Sequence, residues 1–251
     1  MMYPVRILFI SLSLLWLAGC STTPEQKEPE VPAMHSVEDV VNPDVNYVVD
    51  VYDPWGPMNR SIYNFNTQFD RYIFLPVVRG YEFILPTVAQ ESVSNFFSNI
   101  TEITNFTNSV LQLKPEAAFT AVWRFAMNTT FGVFGLFDPA TNYMGTPKWE
   151  EDFGQTLGHW GVGAGPYIVL PILGPSNLRD TTGLIADAAT MAAIDPLNFD
   201  SNDDLEIPYY LLAAINNRHE VKFRYYETGS AFEYELVRLL YGKYRDLEIA
   251  K

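Results

Sequence analysis

The stretch DPWGPMNRSIYNFNTQFD, residues 53–70, decides the fold class. Asp53 followed by Pro54 reads as an N-cap and first helical position, because proline lacks only an N–H that has no partner in the first turn. Ile62, Phe65 and Phe69 then recur at helical spacing, continue through Tyr72 and Ile73, and meet a stop at Pro76. The polar residues beside them are Asn64, Asn66, Thr67 and Gln68. A helix facing water normally carries charges there instead.

The same grammar repeats downstream. A second short helix is predicted over residues 77–84. A third starts near Pro86 and presents Val88, Val93, Phe96 and Phe97, and a fourth carries Ile103, Phe106, Val110 and Leu111. The polar face of that fourth helix is again uncharged, with Thr101, Thr104, Asn105, Thr107 and Asn108. Lys114-Pro115-Glu116 opens a fifth, whose apolar stripe is Phe119, Val122, Trp123 and Ala126. Ser176 reads as the N-cap of a helix with Asp180 in its first turn and Leu178, Ile185 and Ala189 along it. Helical patterns follow over residues 210–226, ended by Gly229, and over residues 232–247. Tyr167 to Leu170, held between Pro166 and Pro171, is the one extended candidate. The class is all-α, built from many short amphipathic helices. Three readings fit the uncharged faces: helices lying in a membrane interface, a narrow wet passage, or buried hydrogen-bonding positions.

Composition narrows the setting. Charged residues make up 18% of the chain, against about 25% in ordinary soluble domains, while aromatics reach 15%. Such a balance suits partial immersion in lipid, or else a large aromatic core. The formal charge of −14 repels phosphates, so no nucleic-acid partner is expected, and adsorption to anionic headgroups is equally disfavoured.

The N-terminus supplies an address. Arg6 precedes an apolar run from Ile7 to Ala18, and Leu17-Ala18-Gly19-Cys20 closes it. This is a secretory signal over residues 1–19, too short to span a bilayer. Cys20, the only cysteine, stands where a bacterial lipobox has the acylated residue; an ordinary signal peptide with a chance cysteine is the other reading. Two lipid signals already make a stable anchor, at about 0.8 kcal/mol per buried methylene. Ser21, rather than an aspartate, favours the outer membrane. Residues 20–47, acidic and proline-rich, read as a tether reaching roughly 25–30 Å, and residues 48–251 as a single helical domain.

Catalytic and cofactor patterns are missing. His35, His159 and His219 lack metal-ligand spacing, and Gly174-Pro175-Ser176 lacks the second glycine of a nucleophile elbow. Gly161-Val162-Gly163-Ala164-Gly165 has neither the preceding strand nor the Lys-Ser of a phosphate loop. Those glycines mark either a tight turn or a hinge. Neither enzyme activity nor a cofactor or metal is expected.

Three blocks resemble the VacJ/MlaA family of outer-membrane lipoproteins: EDFGQTLGHWGVGAGPYIVLPILGPSNLRD over residues 151–180, RFAMNTTFGVFGLFDPA over residues 124–140, and the opening stretch, with NFFSNI behind it at residues 95–100. Gly56, Ile103 and Leu113 depart from the family pattern, which often has an acid, a proline and a glycine at those positions. The resemblance implies a ring of helices embedded in one leaflet of the outer membrane around a polar channel. It implies removal of mislocalised phospholipid from the outer leaflet and delivery to a soluble periplasmic carrier, beside trimeric porins. By resemblance Asn64 and Phe65 match a segment near the channel, and Gly161, Gly163 and Gly165 a loop that gates it. A scaffolding lipoprotein that stabilises porins is the alternative from another functional class.

Overall fold

The computed structural model describes residues 51–201, 203–227 and 229–251. The signal segment, Cys20 and the tether at 20–47 lie outside the described residues. Over the described residues the chain is mostly helical, as the periodicity predicts.

Helix α1 (Gly56–Phe69) runs through a π-helical turn (Asp70–Phe74) into α2 (Leu75–Ile84). Asp53 does not cap it: Trp55 is the N-cap residue, and the Asp53 carboxylate turns instead to Asn59, Tyr234 and Arg238. Pro76 does not stop the run either. A π turn just upstream widens the helix, which relieves the clash between the proline ring and the preceding carbonyls. The two helices predicted over residues 86–111 are one, α3 (Thr87–Leu111), bent by 119° from the α1–α2 rod. Pro86 makes that corner, since its missing N–H suits a helix start.

Leu113 turns the chain at φ 58°, and α4 (Pro115–Thr130) returns against α3. A leucine there carries left-handed strain of about 1–2 kcal/mol. Pairing of Glu102 with Arg124 and of Asn99 with Thr129 makes the two helices antiparallel. The short α5 (Pro139–Asn142) and α6 (Phe153–His159) follow, each capped by an aspartate, Asp138 and Asp152.

The extended candidate is strand β1 (Tyr167–Leu170), which pairs antiparallel with an unforeseen β2 (Gly174–Asn177). Ser176 lies in β2, and Asn177 caps α7 (Leu178–Ile194) by accepting from the Asp180 amide. Helices α8 (Glu206–Glu220) and α9 (Glu233–Ala250) complete the chain, shorter at one end or longer at the other than the periodicity set them.

Helices α6 and α7 meet at glycines: a Cβ on Gly183 would stand 2.3 Å from the Gly154 nitrogen. A buried apolar cluster joins α1, β1 and α9 through Tyr63, Tyr167, Val169 and Tyr234. Tyr63 meets Tyr225, Tyr226 and Tyr234 edge-on at 5.0, 5.9 and 5.6 Å, the geometry aromatic quadrupoles favour.

Candidate functional site: a polar interior inside an apolar exterior

Helix α4 shows the organising principle. Its predicted stripe, Phe119, Val122, Trp123 and Ala126, points outward, with Phe119 70% exposed. The opposite face, Ala117, Ala118, Ala121, Arg124 and Asn128, is buried. On α3 the buried residues are Phe97 and a polar set: Asn99, Glu102, Asn105, Asn108 and Ser109. Leu178, Ile185 and Ala189 of α7 are exposed as well. Periodicity located the amphipathic faces of α4 and α7 and left their direction open; the structure turns both apolar stripes outward. Burying apolar side chains is the main drive of folding in water, and this arrangement of α3, α4 and α7 runs opposite to it.

The interior is held by hydrogen bonds and ion pairs. Arg124 is 1% exposed. Its Nε donates to Glu102 at 2.6 Å, its Nη2 to Asp138 at 2.9 Å, and its Nη1 to the Thr141 hydroxyl and the Thr146 carbonyl at 2.6 and 2.7 Å. The second Glu102 oxygen accepts from Asn105 at 2.9 Å, so neither charge lies unpaired in the interior. Deeper along α3, Asn108 donates to Asp187 and accepts from Thr156, and Gln112 donates to Glu151. Sequence reasoning passed over the signal for this rivet. Glu102 is the only charged residue between Glu91 and Lys114, and Arg124 the only one between Glu116 and Asp138. Lone opposite charges in two neighbouring apolar helices are each other's natural partners.

Asparagines also close the hairpin edge. Asn59 donates to the Tyr167 carbonyl at 3.0 Å and accepts from the Val169 amide at 2.9 Å. Asn66, two turns on, donates to the Leu170 carbonyl at 2.9 Å and accepts from the Ile172 amide at 2.7 Å. These side-chain amides do what a third strand would do for the exposed edge.

Asn66, Asn105 and Asn108 therefore occupy buried hydrogen-bonding positions, the third of the readings open from sequence. Asn64, Gln68 and Thr101 stay exposed. Asn64 accepts from the Tyr226 hydroxyl at 3.1 Å, and Phe65, half exposed, stacks on Phe69 at 5.9 Å. Gly161, Gly163 and Gly165 sit together in an exposed segment between α6 and β1. Gly161 and Gly165 have φ of +85° and +69°, and open space surrounds Gly161 and Gly163. The glycines and the Asn64–Phe65 pair belong to different elements, joined through the Asn59–Tyr167 contact.

The outside is correspondingly greasy. Phe83 is 92% exposed, and the loop after α4 displays Phe131, Val133, Phe134, Leu136 and Phe137. No single helix among the described residues is long and apolar enough to cross a membrane.

The family model for the MlaA lipoprotein matches residues 51–248. The chain belongs to the MlaA family. The MlaA named as the intermembrane phospholipid transport system lipoprotein of Escherichia coli K12 is 40% identical over 140 residues, covering 54% of this chain and 55% of its own. An uncharacterised protein of Rickettsia felis is 38% identical over 176 residues, 70% of this chain and 68% of its own. A solved structure reported as "Structural basis for maintenance of bacterial outer membrane lipid asymmetry" aligns at a TM-score of 0.65 and 30% identity, over 79% of this chain and 100% of that one. The MlaA match takes in every interior contact described above.

Proposed function

We propose that this chain is an outer-membrane lipoprotein, anchored at Cys20 with residues 1–19 removed, whose helices form a ring in the periplasmic leaflet around a polar channel. It takes mislocalised phospholipid from the outer leaflet and passes it to a soluble periplasmic carrier, beside trimeric porins. The observation that carries this reading is the inversion of α3 and α4, buried polar faces beneath exposed aromatic ones. Helices too short or too polar to span a bilayer are suited to lie in one leaflet. A lipid headgroup stripped of water needs polar partners, since an unpaired amide or hydroxyl in an apolar medium costs about 2–7 kcal/mol. Exposed uncharged groups such as Asn64, Gln68 and Thr101 meet that need without holding a zwitterion tightly. Gly161, Gly163 and Gly165 give the neighbouring segment the backbone freedom of a gate. The transfer requires no covalent step, cofactor or metal.

Deleting the gene and measuring phospholipid accessible at the cell surface tests the proposal. Accumulation in the outer leaflet, reversed by the wild-type gene, is expected. Unchanged leaflet composition sinks it and leaves a scaffolding lipoprotein.

A further inference from the structure

Arg245 on α9 lies 8% exposed between two carboxylates and grips both. Its Nη1 and Nη2 donate to the two Asp152 oxygens at 2.7 and 2.8 Å. Its Nε and Nη2 donate to the two Asp180 oxygens at 2.9 and 3.2 Å. Asp152 caps α6, immediately before the glycine segment, and Asp180 stands in the first turn of α7, which follows it through the β-hairpin.

The contacts continue into the segment itself. Asp180 also accepts from Arg179 Nε at 2.9 Å. The Arg179 amide donates to the Ala164 carbonyl at 3.1 Å, its Nη1 reaches the Val162 carbonyl at 3.4 Å, and the Leu178 amide donates to Pro166 at 3.0 Å. On the other side, Ile249 of α9 packs over Gly158, where a Cβ would stand 2.5 Å from its Cδ1. The segment's own amides hold it only at its start, where Gly161 and Val162 donate to Gly158 and Leu157. Thus α9 touches both roots of the segment, and Arg179 ties its middle through the Val162 and Ala164 carbonyls.

We propose that Arg245 is a positioning residue for the glycine segment 160–165: by fixing Asp152 and Asp180 it sets the Arg179 side chain and backbone that hold the Val162 and Ala164 carbonyls. The role of that segment in lipid passage rests on the function proposed above; its positioning by Arg245 does not. Planar, doubly bidentate geometry is within reach of a guanidinium and beyond an ammonium.

The test is hydrogen exchange on the full-length lipoprotein in detergent, comparing wild type with Arg245→Met, Arg245→Lys and Arg179→Met. Opening of a local unit raises exchange there alone. For Arg245→Met the amides of Val162, Leu178 and Arg179 are expected to exchange about tenfold faster or more, while those of α3 and α4 hold their wild-type rates. Arg245→Lys is expected to restore only part of the protection. Arg179→Met, which leaves the Arg245 pairs in place, is expected to free the same amides, so a poorly folding Arg245 variant does not decide the matter. Wild-type exchange at Val162, Leu178 and Arg179 in Arg245→Met, or in Arg179→Met if the first does not fold, overturns the proposal. Faster exchange with unaltered surface phospholipid in cells upholds the positioning and removes the gating role instead.

Discussion

Replacing Arg124 by methionine leaves Glu102, 1% exposed, as an uncompensated charge between α3 and α4. The change removes a 2.6 Å ion pair to Glu102, a 2.9 Å pair to Asp138, and the bonds to Thr141 and Thr146. Breaking one side of a buried ion pair costs about 3–5 kcal/mol. In a domain of this size each kcal/mol moves the melting midpoint by about 2–4 °C, so the variant is expected to melt roughly 6–20 °C lower. Phe119→Ala, on the opposite face of the same helix and 70% exposed, is expected to change stability by less than about 0.5 kcal/mol. Thermal unfolding followed by far-UV circular dichroism in detergent reads both. Pairing Glu102→Gln with Arg124→Met removes the stranded charge and is expected to recover most of the loss. An Arg124→Met variant no less stable than Phe119→Ala refutes an interior built on polar contacts.

Four further outcomes are expected. Burial alone raises the Asp152 and Asp180 carboxyls, but hydrogen bonds and charge from Arg245, with Arg179 at Asp180, hold both below the usual carboxylate range. Their contribution is therefore complete above the ordinary carboxylate pKa of about 4 and is lost as pH falls through their lower folded values. Urea midpoints measured from pH 7 downward should fall only in that acid window, and Asp152→Asn should flatten the decline. Gly183→Ala should separate α6 from α7 and prevent stable folding, read as loss of protease resistance, because its new Cβ meets backbone at 2.3 Å. Gly161→Ala, at φ +85°, should cost about 1–2 kcal/mol whereas Gly163→Ala should be nearly neutral; the pair together should slow lipid transfer measured by surface phospholipid. Cys20→Ala should leave the domain foldable but misplaced on fractionation, and full outer-membrane retention would show that its helices hold it without the lipid.

Much of this was legible in the residues. The helical periods, Pro115, the extended Tyr167–Leu170 and the uncharged faces of α1 and α3 all carry over, because they depend on local geometry. What the sequence hid depends on solvent and on distant partners. A stripe such as Phe119, Val122 and Trp123 looks the same whether it faces a core or points outward, and only the burial of Arg124 and Asn128 behind it decides. Asp53 reads as a cap because capping is local, yet Tyr234 and Arg238, far along the chain, claim its carboxylate. Pro76 reads as a stop because a π turn leaves no mark in the apolar period. Asn64, Phe65 and the glycines were singled out by resemblance, whereas Glu102 and Arg124 announced themselves by lone charge in apolar surroundings and were overlooked; Arg245, flanked by Lys243 and Asp246, gave no such signal.

The decisive measurement is spin-label accessibility of the lipoprotein in phospholipid vesicles, with labels at Phe119, Val122 and Phe134 on the outside and at Asn105 and Asn128 within. Apolar oxygen should broaden the outer three strongly while a water-soluble nickel chelate leaves them untouched. Strong broadening of those three by the nickel chelate, with oxygen having no greater effect, would mean that the aromatic faces meet water and that the domain does not lie in a leaflet.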